Sequence, residues 1–123
     1  MSFFAEKNKV GGLERIYKTL FYSRDGLLAA CKEPAFVQLL VLHSVLVLLA
    51  LFLVGFSQGK MLLIAVSFLS LIVELINTSI EAIVDRVSTE LHPLSKIAKD
   101  CGSAAQLLIL VLCAILWLMV LFA

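Results

Sequence analysis

Met61–Arg86 reads MLLIAVSFLSLIVELINTSIEAIVDR, a stretch with the apolar weight of a membrane span that nevertheless carries Glu74 and Glu81 inside it. A helix of roughly 20 apolar residues crosses a hydrocarbon core about 30 Å thick. An ionisable side chain within it costs about 2.5–3.5 kcal/mol on insertion scales. Two acids kept at that cost mark a site, a relay or a buried polar seam, and a seam would more naturally use Ser, Thr or Asn. Glu74, Asn77, Glu81 and Asp85 follow one another at +3, +4 and +4. At about 100° per residue they fall within an arc of roughly 80°. Ser70 and Thr78 lie close by, while Leu71, Leu75, Ala82 and Ile83 lie largely off it. One face of this helix is acidic and hydrogen-bonding.

Outward from it, Pro34–Gly59 and Cys101–Ala123 contain no Asp, Glu, Lys or Arg. Both are long enough to span. The chain therefore reads as an all-α membrane protein with three spans, 34–55, 61–86 and 101–122. Turn-formers and polar residues join them at Gly55–Lys60 and Ser88–Asp100, the latter with His92-Pro93. Composition agrees: of 123 residues 62% are hydrophobic and 15% charged, with a mean hydropathy of +1.07. A typical soluble domain is about half apolar and about a quarter charged, so a soluble monomer is excluded. A net charge of +1 gives no bulk electrostatic case for nucleic acid. Cys31, Cys101 and Cys113 are spaced neither as a zinc site nor as a disulfide framework.

Basic residues set the orientation. Lys7, Lys9, Arg15, Lys18, Arg24 and Lys32 precede the first span, and Arg86, Lys96 and Lys99 follow the second, leaving only Lys60 in the first connection. The N-terminus and the second connection are thus expected on the cytoplasmic side. Segment 1–33 is no signal peptide, being too charged and lacking an apolar core. Leu13, Ile16, Tyr17, Leu20, Phe21, Leu27, Leu28 and Cys31 recur at helical spacing between Glu14, Arg15, Lys18 and Asp25. That is the pattern of a helix in the interface plane, or else of an amphipathic helix packed on protein. Pro34 suits the first turn of the next helix, leaving Glu33 at its N-terminus.

Depth gives the acids a function. At 1.5 Å per residue Glu74 lies about 21 Å, and Glu81 about 32 Å, from the level of Lys60. Glu74 is then within the inner third of the hydrocarbon, Glu81 at its edge and Asp85 in water. A carboxylate stripped of water is suited to taking a proton from a hydroxyl. Glu81, and Glu33 at the facing helix end, are hard oxygen donors that fit Mg²⁺, which commonly shares nucleotide phosphate oxygens. Arg15, Lys18, Arg86, Lys96 and Lys99 could balance the phosphate charge. Metal-assisted phosphoryl transfer to a lipid hydroxyl follows as the expectation.

The run Ile72–Arg86 followed by Ala98-Lys99-Asp100-Cys101-Gly102-Ser103-Ala104-Ala105, with Tyr22-Ser23, Gly26-Leu27, Ala29-Ala30, Glu33, Ala35-Phe36 and Gln38 before it, resembles the prokaryotic diacylglycerol kinase family. The resemblance runs from about Arg15 to the last helix. It implies an ATP-dependent lipid kinase of the bacterial inner membrane, a homotrimer in which each protomer has a surface helix and three spans. It further implies sites shared between neighbours. On it Glu74 would be the general base and Glu33 and Glu81 the Mg²⁺ ligands. Arg15, Tyr22, Glu33, Asn77, Glu81, Asp85, Glu90, His92, Lys99 and Asp100 would form the ATP site. Arg15, Ser23, Phe36, Gln38, Glu74, Ser103 and Trp117 would contact the lipid.

Three departures from the family pattern stand out. Arg24 replaces a usual aromatic, Leu39 an acid that often follows Gln38, and the stretch between Ala30 and Glu33 is one residue short. His92-Pro93-Leu94 is closer to the branch that phosphorylates undecaprenol, whereas Asp85-Arg86 and Gly102-Ser103-Ala104-Ala105 favour diacylglycerol. Gly55–Met61 is not a phosphate loop, having three residues between its glycines and Met after Lys60. His43 reads as an interhelical hydrogen-bonder and Trp117 as an interface residue or a lipid contact. A proton-coupled exporter is the rival of another class, but it calls for four spans and centred acids. A non-catalytic assembly subunit is the third reading. Three helices cannot enclose a polar stripe, so an oligomer is expected in any case.

Overall fold

The computed structural model describes residues 11–123, which form four helices and, among the described residues, no strand: α1 (Gly12–Ala30), α2 (Pro34–Leu53), α3 (Gln58–Val87) and α4 (Pro93–Leu121). Lys7 and Lys9, counted above for orientation, lie outside the described residues. The helices α2, α3 and α4 are each long and apolar enough to cross a membrane.

The boundaries follow from local chemistry. A tight turn closes α1 onto α2, with the Lys32 N–H donating to the Ala29 carbonyl (3.1 Å) and the Glu33 N–H to that of Ala30 (2.9 Å). Pro34 then opens α2 with Glu33 at the N-cap, where a missing N–H costs nothing. Ser57 caps α3, its Oγ accepting from the Lys60 N–H at 3.3 Å. Lys60 Nζ turns back to donate to the Leu51 carbonyl (3.0 Å), one of the carbonyls left open where α2 ends.

The last helix begins earlier than the expected span. It starts at Pro93 instead of residue 101, so most of the supposed Ser88–Asp100 connection is helical. His92 and Pro93 are start signals here: His92 Nδ1 accepts from the Leu94 N–H at 3.1 Å, and Pro93 occupies the first turn. Lys96 and Asp100 pair one turn apart on the same face, which supports the first turns in water.

The central helix is α3, packed between α2 and α4. Its buried residues, Leu63, Val66, Ser67, Ser70, Glu74 and Asn77, lie on one side, and half the interior of the molecule is polar. His43, Ser67, Ser70, Glu74, Asn77 and Gln106 are buried alongside Ala30, Phe36, Ala50, Leu63, Val66 and Cys113. The outward surfaces of α2 and α4 are Leu, Val, Ile and Phe. This is the arrangement a lipid solvent demands, with polar groups turned inward and hydrocarbon outward.

At the far end of the bundle Val120 sits against Gly59, where an added Cβ would stand 3.0 Å from its Cγ2. At the other end Gly102 of α4 lies so close to α3 that a Cβ would run into Asn77 Oδ1. Small residues let helix backbones approach this closely. By contrast α1 buries only Ala30. Its apolar residues Leu13, Ile16, Tyr17, Leu20, Leu27 and Leu28 stay uncovered by the rest of the chain.

Candidate active site

The acidic face of α3 grades from buried to exposed along its length. Ser70, Glu74 and Asn77 are buried, Thr78 and Glu81 half-buried, and Asp85 exposed. Glu74 is 6% exposed, which keeps bulk water off its carboxylate. Asn77 follows one turn later, its Nδ2 donating to Glu81 Oε1 at 3.5 Å. This long hydrogen bond steers the Glu81 carboxylate, and the close approach of Gly102 holds Asn77 in place.

Facing this helix, α2 contributes Glu33, Ala35 and Gln38, and α4 contributes Ser103 and Gln106. Together with Glu74, Asn77, Thr78 and Glu81 they line a cavity of about 490 Å³ whose deeper wall is Leu39, Leu42 and Leu110. The cavity is thus acidic at its mouth, hydrogen-bonding in the middle and apolar at its end. Leu39, which replaces the usual acid, falls on the apolar wall.

A second, smaller hollow of about 220 Å³ lies at the α3–α4 connection, lined by Ser88, Glu90, His92, Lys96, Lys99 and Asp100 among others. Lys99 Nζ donates to Asp85 Oδ1 at 2.7 Å, so the exposed end of the acidic face is tied to the hollow's basic wall. His92 spends Nδ1 on capping α4.

Of the expected site residues, the chain brings Glu33, Gln38, Glu74, Asn77, Glu81 and Ser103 to the first cavity and Glu90, His92, Lys99 and Asp100 to the second. Arg15, Tyr22 and Ser23 line neither. They are exposed on α1, where Ser23 Oγ donates to the Thr19 carbonyl at 3.0 Å. Phe36 is buried at 2% exposure and is not on the cavity wall. Trp117 is fourteen residues beyond Ser103 on α4, about 21 Å along the axis, and its Nε1 is buried without a partner among the described residues. Gln106 was missed by sequence reasoning. Its signal was a lone amide in a charge-free span, three residues after Ser103.

The donor set fits a magnesium ion that shares phosphate oxygens. Glu33 and Glu81 present carboxylates to one cavity. Among the described residues no three His, Cys, Asp or Glu gather into a cage. One or two carboxylates with the remaining positions left to water and phosphate is how Mg²⁺ is usually held.

The profile of the prokaryotic diacylglycerol kinase family matches residues 21–121. A diacylglycerol kinase of Pseudomonas aeruginosa is 54% identical over 86% of this chain and 87% of its own. One from Helicobacter pylori is 47% identical over 95% of this chain and 92% of its own. One from Escherichia coli K12 is 41% identical over 94% and 96%.

Proposed function

The chain belongs to the prokaryotic diacylglycerol kinase family, and on that premise we propose that it transfers the γ-phosphoryl group of ATP to the free hydroxyl of diacylglycerol. The products are phosphatidic acid and ADP. The reaction takes place at the cytoplasmic edge of the bacterial inner membrane, with the N-terminus in the cytoplasm. One observation carries the reading: a single cavity holds the buried Glu74 at hydrocarbon depth and Glu33 and Glu81 at its mouth. A lipid alcohol and a water-borne triphosphate can meet there.

In this reading the lipid enters with its acyl chains along Leu39, Leu42 and Leu110 and its hydroxyl toward Glu74. Glu74 accepts the hydroxyl proton as the oxygen bonds to the γ-phosphorus and the bond from that phosphorus to the β,γ-bridging oxygen breaks, ADP leaving. Ser103 and Gln38 orient the lipid head beside it. Glu33 and Glu81 would hold Mg²⁺, which when bound offsets the charge on the triphosphate. Asn77 fixes the Glu81 carboxylate by its hydrogen bond. Lys99, steadied by Asp85, and the Glu90, His92 and Asp100 wall cradle the rest of the nucleotide. Arg15, Tyr22 and Ser23 complete a neighbouring protomer's site in a homotrimer.

The test is transfer of labelled γ-phosphate in mixed micelles, with diacylglycerol and undecaprenol offered in parallel. Mg²⁺-dependent label in phosphatidic acid, well above that in undecaprenyl phosphate, is the expected result. Preferential labelling of undecaprenol would reassign the substrate. No labelled lipid, with pH-driven cation transport in its place, would overturn the kinase.

A further inference from the structure

The apolar stripe that α1 leaves uncovered has a cation in its middle. At about 100° per residue Leu13, Tyr17, Leu20, Phe21, Leu27 and Leu28 fall within an arc of roughly 120°, and Arg24 stands within about 20° of its midline. All six are exposed. Arg15 and Tyr22 lie about 160–180° away from Arg24 around the helix. The face proposed for substrates is thus not the face that carries Arg24. Where the family pattern has an aromatic, well suited to such a stripe, this chain has a charge.

The local geometry leaves that charge on the surface. The Arg24 side chain is 62% exposed. Its guanidinium lies over the Phe21 ring, 5.1 Å from the centroid, and Phe21 meets Tyr17 edge-on at 5.0 Å. Arg24 Nη2 donates to Asp25 Oδ1 at 3.4 Å, a long contact between exposed neighbours that contributes little. The tight turn at Lys32 and Glu33 joins α1 directly to the first span, so the stripe has a bilayer beside it. Against acyl chains or a packed protein face an arginine would be costly. At the level of lipid phosphates its planar fork of donors is matched by phosphate oxygens.

We infer that Arg24 is a headgroup-binding residue: it holds α1 at the phosphate level of the membrane by engaging the phosphate of an anionic glycerophospholipid. Phe21 backs the guanidinium from the protein side, and Leu20, Leu27 and Leu28 reach past the headgroup toward the acyl boundary. Docking of α1 is accordingly sensitive to the charge of the lipid, whereas an aromatic in the same place would dock by burial alone. The inference rests on the membrane spans and the uncovered stripe, not on the chemistry at Glu74, and does not depend on the kinase reading.

The experiment follows backbone hydrogen exchange of residues 13–28 in the full-length protein, reconstituted in vesicles of phosphatidylcholine alone or with a third of phosphatidylglycerol. Docking stabilises α1 against local opening, so tighter docking slows exchange in proportion. The wild-type protein should exchange more slowly with phosphatidylglycerol, and Arg24→Gln should cut that lipid effect by about fivefold, the contribution of one cation near an anionic surface. In the wild-type protein, about 1 M salt should erase the effect without any substitution. Arg24→Trp should exchange slowly in both lipids. Equal wild-type rates in the two lipids overturn the inference, as does an undiminished lipid effect in Arg24→Gln, which would assign it to other cations. Equal protection in phospholipid-free detergent also overturns it, since a neighbouring chain would then cover the stripe. Exchange reads the docking whether or not lipid is phosphorylated, so failure of the kinase assay leaves this test intact.

Discussion

Glu74 and Glu81 are one helical face and two turns apart, yet burial gives them different work. Glu74 is sealed at 6% exposure; Glu81 is half-buried and bonded through Asn77. On the proposed roles, Glu74→Gln removes the base and leaves the shape, so kcat should fall about 10²–10⁴-fold while ATP binding, followed by equilibrium dialysis with a nucleotide analogue, persists. Glu81→Gln removes the proposed metal ligand, so KM for Mg-ATP should rise at least about tenfold along with a loss of kcat. Normal turnover in both variants would place the chemistry elsewhere. At this scale the sequence was most informative, because acids in a span are expensive enough to be conspicuous. Gln106 escaped notice because an amide carries no charge to betray it, and its unpaired oxygen exists only once α3 and α4 are packed.

The elements were legible wherever hydrophobicity alone decided them. The three spans and the apolar stripe of α1 stand in the sequence, since lipid exposure leaves long charge-free runs and an interface leaves a 3.6-residue period. The start of α4 at Pro93 is not decided by hydrophobicity, because Lys96, Lys99 and Asp100 interrupt the apolar run without ending the helix. A helix can continue into water when its N-cap and its one-turn ion pairs support it. The tight approach of α3 and α4 at Gly102 against Asn77 makes a separate prediction. Gly102→Ala gains helix propensity of up to about 1 kcal/mol but forces the Asn77 amide aside at an overpacking cost of about 1–3 kcal/mol. Net destabilisation, read as a lower thermal midpoint in detergent, should come with weaker Mg-ATP binding, since Asn77 then releases Glu81. Adding Asn77→Ala should recover the midpoint and not the nucleotide affinity. Recovery of both would mean that Asn77 does nothing for Glu81.

At the scale of the whole molecule, the proposed site calls for more than one chain. Among the described residues the cavity has walls from α2 and its N-cap Glu33, from α3 and from α4, while Arg15, Tyr22 and Ser23, which the family pattern assigns to substrates, sit on a helix that buries a single residue against its own chain. Polar groups at hydrocarbon depth need protein or ligand on every side, and a symmetric closed assembly is the usual way for identical chains to provide it. The sequence could show that three helices are too few, though not which surface of a neighbour completes them. If α1 serves a neighbour's cavity, Arg15→Ala and Glu74→Gln chains should each be nearly inactive alone. Mixed as unfolded chains in equal amounts and then reconstituted together, they should regain roughly a quarter of wild-type turnover, the share of sites that draw α1 from one intact type and α3 from the other. Cross-linking of the same reconstituted sample should give trimers. Absence of recovery despite trimers would confine each site to one chain and require α1 to fold over its own cavity; monomers alone would remove the assembly from the mechanism and leave the acidic face of α3 to be closed by lipid.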